Sequence, residues 1–101
     1  LLGRVNKKMK VSGAQVAAAR DLLRITQEEL ADAADVSYRT VLRFEAGQAE
    51  PQAVSLQKIL SALERRGIEF TNGTGMGIRL NYQKAAEFAN SATSAPKEPA
   101  R

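Results

Sequence analysis

The chain has 101 residues, 44% of them hydrophobic and 26% charged, with 15 Lys and Arg against 11 Asp and Glu. That length suits one small domain of ordinary globular composition. It contains no Cys and no His, which excludes disulfides, zinc fingers, thiolate nucleophiles and His-based triads, together with most transition-metal sites.

No apolar run approaches the roughly 18 residues of a membrane span. The opening LLGRVNKKMK also lacks the apolar core of a secretory signal, so the expected compartment is cytoplasmic, without a membrane partner. The formal charge of +4 and pI near 9.8 invite a nucleic-acid reading. That charge is local: Arg4, Lys7, Lys8 and Lys10 supply four positive charges, and the 11 basic residues left from Val11 onward match 11 acidic ones. Residues 1–11 read equally as a basic phosphate-binding arm or as a solvated leader.

Ser12 with Gln15 three residues on has the spacing of a capping box, and Val16, Ala19, Arg20 and Leu23 recur on one helical face. A second helix starts at Thr26, with Glu29 completing a better box and Leu30, Ala31 and Ala34 on its buried side. Glu28, Glu29 and Asp32 lie near its positive dipole end and read as dipole partners, not as a metal or catalytic cluster. Asp35 must turn the chain, because Ser37 is a fresh N-cap for a helix to Ala46 with Val41 and Phe44 inward, and Gly47 stops it.

After a loop containing Pro51, a fourth helix is expected from Ser55 to Arg66, with Leu56, Ile59, Leu60 and Leu63 as its stripe. The period then changes. Ile68-Glu69-Phe70 and Ile78-Arg79-Leu80 alternate around Gly73, Gly75 and Gly77, a β-hairpin pattern. The glycines have the wrong spacing and context for a dinucleotide loop. Tyr82 to Ala89 allows one or two helical turns with Tyr82, Ala85, Ala86 and Phe88 or Ala89 inward. Asn90 to Arg101 is Ser/Ala/Pro-rich and reads as disordered.

The informative unit is Thr26 to Gly47, two short helices joined by a tight turn. Such a pair crosses steeply and presents the outer face of the second helix. Tyr38, Arg39, Thr40 and Arg43 lie opposite Val41 and Phe44. Arginine can bond guanine O6 and N7 in pairs, Thr40 offers a hydroxyl and a methyl, and Tyr38 suits a phosphate or a thymine methyl. Gln27 sits at a helix N-terminus, where free N–H groups favour phosphate. Leu42, also outward, suits packing on the arm or on a partner or contact with thymine methyls, and reads equally as a single surface leucine.

The stretch Thr26-Gln27-Glu28-Glu29-Leu30-Ala31, Val36-Ser37, Val41 and Phe44-Glu45-Ala46-Gly47 resembles the helix-turn-helix of the Xre/Cro family of phage and bacterial repressors. The resemblance spans Ser12 to Arg66. It implies a mainly α, four- to five-helix lambda repressor-like domain whose third helix enters the major groove, here with an appended C-terminal β-hairpin. It implies DNA contacts from Gln27, Ser37, Tyr38, Arg39, Thr40, Arg43 and Gln48. It also implies an ion pair between Arg20 and Glu45, which would account for an arginine on an apolar face; the alternative is a side chain snorkelling to water. Asp35 departs from the family, which often has Gly at that turn.

The expected organisation is an arm at 1–11, a DNA-binding domain at 12–66, a hairpin at 67–81 and a short helix with a tail at 82–101. The expected function is sequence-specific regulation on double-stranded DNA by a homodimeric repressor or autoregulator on an inverted repeat. No enzyme activity, metal, cofactor or small-molecule ligand is expected. Two other readings are an antitoxin or protein-interaction module using the segment from Tyr82 onward, and a controller of a restriction–modification or mobile-element operon.

Overall fold

The computed structural model describes residues 10–93; the basic residues Arg4, Lys7 and Lys8 and the end of the tail lie outside them. Five helices and one hairpin follow in the order α1 (Gly13–Leu23), α2 (Gln27–Ala34), α3 (Tyr38–Glu45), α4 (Ala53–Arg65), β1 (Ile68–Asn72), β2 (Met76–Leu80) and α5 (Tyr82–Thr93). This is the mainly α helix-turn-helix architecture with a hairpin that the sequence implies.

Each of the first three helices starts on a hydroxyl cap. Ser12 and Thr26 form full capping boxes with Gln15 and Glu29, and the Ser37 hydroxyl accepts from the Thr40 N–H. Asp35 ends α2 in the left-handed conformation at φ 58°, ψ 48°, closing the three-residue turn to α3. Helix α4 starts at Ala53, earlier than the expected Ser55. Its N-cap, Gln52, makes no side-chain cap bond and therefore leaves no hydroxyl or carboxylate signal in the sequence.

The core joins the first four helices and the hairpin. Val16, Leu30, Val41, Ile59, Leu63, Ile68 and Phe70 are almost fully buried, and Val11 enters the same cluster ahead of α1. The hairpin is antiparallel, pairing Ile68 with Leu80 and Phe70 with Ile78. Strand β2 packs against α1, and β1 against α4.

Helix α5 corrects two expectations. It continues through Asn90 to Thr93 where disorder was expected, and Tyr82, expected inward, is 82% exposed. Asn81 caps α5 by accepting from the Lys84 N–H (3.0 Å), and the backbone at Ala85 lies close against Gly67. The helix is fixed by half-buried Ala85 and by Phe88, whose ring lies under the Arg66 guanidinium at 4.4 Å. Tyr82 sits about 120° around the helix from Phe88, and Ala86 and Ala89 are exposed with it.

Candidate nucleic-acid interface

Helix α3 has one buried and one open face. Val41 and Phe44 are buried, whereas Tyr38, Arg39, Leu42 and Arg43 are exposed. Neither Arg39 nor Arg43 has an ion-pair partner among the described residues. Both line a hollow of about 340 Å³ with Thr40, Glu50, Pro51, Gln52 and Ser55, between α3 and the start of α4. Two unneutralised guanidinium groups on one helix face, one turn apart, form a donor surface suited to phosphate or base edges.

The other residues expected at this surface are held differently. The Ser37 and Thr40 hydroxyls meet at 2.8 Å, so both take part in the start of α3. Gln27 is half-buried and donates from Nε2 to Glu45 Oε1 (3.0 Å), which leaves its second N–H and its carbonyl. Gln48 is exposed just past Gly47. It borders a separate hollow with Lys10, Gly13, Phe44 and Met76, where Lys10 bridges to Glu50 at 3.2 Å.

Behind α3, the Arg20 guanidinium donates twice to Glu45, from Nε to Oε2 (2.9 Å) and from Nη2 to Oε1 (3.0 Å), and a third time to the Ile25 carbonyl (3.0 Å). The Glu45 side chain is only 5% exposed. Hydrogen bonding to Glu45 raises the Arg20 pKa above its ordinary value, against the opposing effect of burial. This fork joins α1 to the last residue of α3 and carries Gln27 of α2 on the same carboxylate.

The sequence did not reveal Gly13. A Cβ there would lie 1.9 Å from the Phe44 carbonyl oxygen, so the first turn of α1 touches the end of α3 backbone to backbone. Only a serine-glycine pair before an apolar helix hinted at it, and that pair also suits an ordinary cap.

The family model described as Helix-turn-helix matches residues 16–70. That span holds both helices of the motif, its turn and the packing that supports them. The chain belongs to the Xre/Cro-type helix-turn-helix family. It is a DNA-binding helix-turn-helix regulator. Among curated proteins, none matches this family member. Among the described residues no helix is long and apolar enough to cross a membrane, and no cluster of acidic residues could hold a metal ion.

Proposed function

We propose that this regulator acts as a homodimeric repressor or autoregulator, placing two copies of α3 in successive major grooves of an inverted repeat. The observation that carries the reading is the open face of α3, where Arg39 and Arg43 stand exposed above the buried Val41 and Phe44, without an ion-pair partner among the described residues. In this reading the two arginines read bases, with Tyr38 beside them on phosphate or a thymine methyl. The paired Ser37 and Thr40 hydroxyls form the groove-facing start of the helix. Gln27, with one N–H held by Glu45, offers its second to a backbone phosphate, and Gln48 approaches a phosphate beyond the Gly47 turn.

Repression would follow from occlusion of a promoter, with half-sites about one helical turn apart. The test is footprinting on the DNA upstream of the encoding gene, searched for an inverted repeat. Arg39→Ala and Arg43→Ala should each weaken specific binding by about 1–3 kcal/mol where the side chain reads a base. An unchanged footprint in both variants would remove base readout from α3.

A further inference from the structure

Among the described residues, the hairpin leaves one edge without a neighbouring strand. Strand β1 is covered, with Ile68, Glu69 and Phe70 buried, whereas Met76 and Arg79 of β2 are exposed and Ile78 and Leu80 only half-buried. No third strand flanks β2 among the described residues. The Asn81 N–H bonds the Gly67 carbonyl (2.7 Å), and the Gln15 amide reaches both the Thr71 and Gly77 carbonyls (3.4 and 3.0 Å). Two carbonyls on facing strands meet one nitrogen only when both point between the strands. Pairs Glu69–Arg79 and Thr71–Gly77 are therefore the ones that exchange bonds, and the alternate residues Ile78 and Leu80 turn N–H and C=O outward. An open row of such groups is a template for another strand.

We infer that β2 pairs antiparallel with β2 of a second copy, centred on Ile78, to form a continuous four-stranded sheet. Centring on Ile78 is the register that pairs the whole strand, Met76 opposite the partner's Leu80 and Gly77 opposite the partner's Arg79. Each arginine then faces a residue with no charge and no side chain. Centring on Arg79 would pair only residues 78–80 and would set two guanidinium groups, each already bonded to its own Glu69, directly opposite one another. The contact is two-fold and closed, whereas joining β2 to β1 of the next copy would propagate without end, and β1 is covered.

Beside this edge α1 packs on β2, and its Leu22 is 47% exposed. The inference rests on the homodimeric reading above and assigns its interface.

The chain has no cysteine, so Ile78→Cys places one thiol at the two-fold, where directly opposed bonded residues have Cα atoms about 5.5 Å apart, within disulfide range. The expected result is a dimer by sedimentation velocity and rapid disulfide linkage of I78C under mild oxidation, at least tenfold faster than Thr74→Cys at the hairpin tip. Circular dichroism checks that both variants fold. A dimer in which I78C links no faster than T74C would overturn this interface and leave the homodimeric reading intact. A monomeric native chain at about 100 μM would overturn both, including one that dimerises only after removal of residues 1–9, which would mean that its own N-terminal segment covers the edge.

Discussion

Replacing Arg20 with Met keeps most of the stem's packing and removes the guanidinium. Glu45 then loses both bonds of the fork and retains only the Gln27 N–H, with its carboxylate 5% exposed. Breaking one side of a buried pair costs about 3–5 kcal/mol, because the remaining charge stays desolvated. Arg20 itself is 18% exposed and Gln27 still helps, which places the expected loss near the lower end, about 3 kcal/mol. For a domain of this size that corresponds to a fall in Tm on the order of 12–24 °C. Arg20→Met combined with Glu45→Met should recover most of the loss, ending within about 1 kcal/mol of the native chain, since an apolar pair of similar volume replaces the ions. Urea and thermal unfolding by circular dichroism at neutral pH supply the full cycle. A single-variant cost below about 1 kcal/mol, or a double variant no better than Arg20→Met, would refute the argument that Glu45 depends on Arg20 for its burial.

Gly13→Ala should be among the most damaging small changes, costing about 1–3 kcal/mol or more because the clash is with backbone; thermal melts and DNA affinity measured together would show α3 displaced. Asp35→Asn should leave stability within about 0.5 kcal/mol, since Asn accepts the left-handed turn and removes a carboxylate from the negative end of α2, while loss of the exposed ion pair with Lys58 (3.6 Å) offsets that gain; a change above about 1 kcal/mol in urea titration would contradict this. Hydrogen bonds from Arg79 and then Asn81 hold the Glu69 carboxyl below its usual range. The stability it supplies is present above the ordinary carboxylate pKa and is lost as pH falls through the lower folded value. Glu69→Gln should therefore flatten the acid limb of the stability curve below about pH 4.5, and an unaltered limb would show that other carboxylates set it.

The helices were legible where a side chain announced its own local role. Ser12, Thr26 and Ser37 mark three starts, and the stripe from Leu56 to Leu63 marks the buried side of α4. Asp35 was legible as a turn by its position between two caps. What stayed hidden depends on contacts distant in sequence. Gln15 reads as the second half of a capping box, which it is, but its other end holds the hairpin. Arg24 ends α1 at φ 59° with no glycine or asparagine to signal it. Tyr82 looked apolar enough to face inward, yet the anchoring of Ala85 and Phe88 rotates it to solvent. On the outer face of α3, the exposed residues followed from periodicity, whereas the capture of Gln27 by Glu45 required the two helices to meet.

The Gln15 amide has consequences for how the molecule comes apart. One side chain in the first turn of α1 bonds both strands of the hairpin and Asn72, and Asn72 in turn holds the Lys10 carbonyl (2.8 Å). Ile68 and Phe70 are almost as deeply buried as the innermost residues of the first four helices. The hairpin and α1 therefore belong to one cooperative unit, and their slowest amides should exchange with hydrogen isotopes at a common rate set by global unfolding. A chain cut after α4 would leave the buried Gln15 donor without acceptors and open the core. The helix-turn-helix of this protein is not separable from its hairpin, and an exchange of hairpins between relatives would have to carry residue 15 with it.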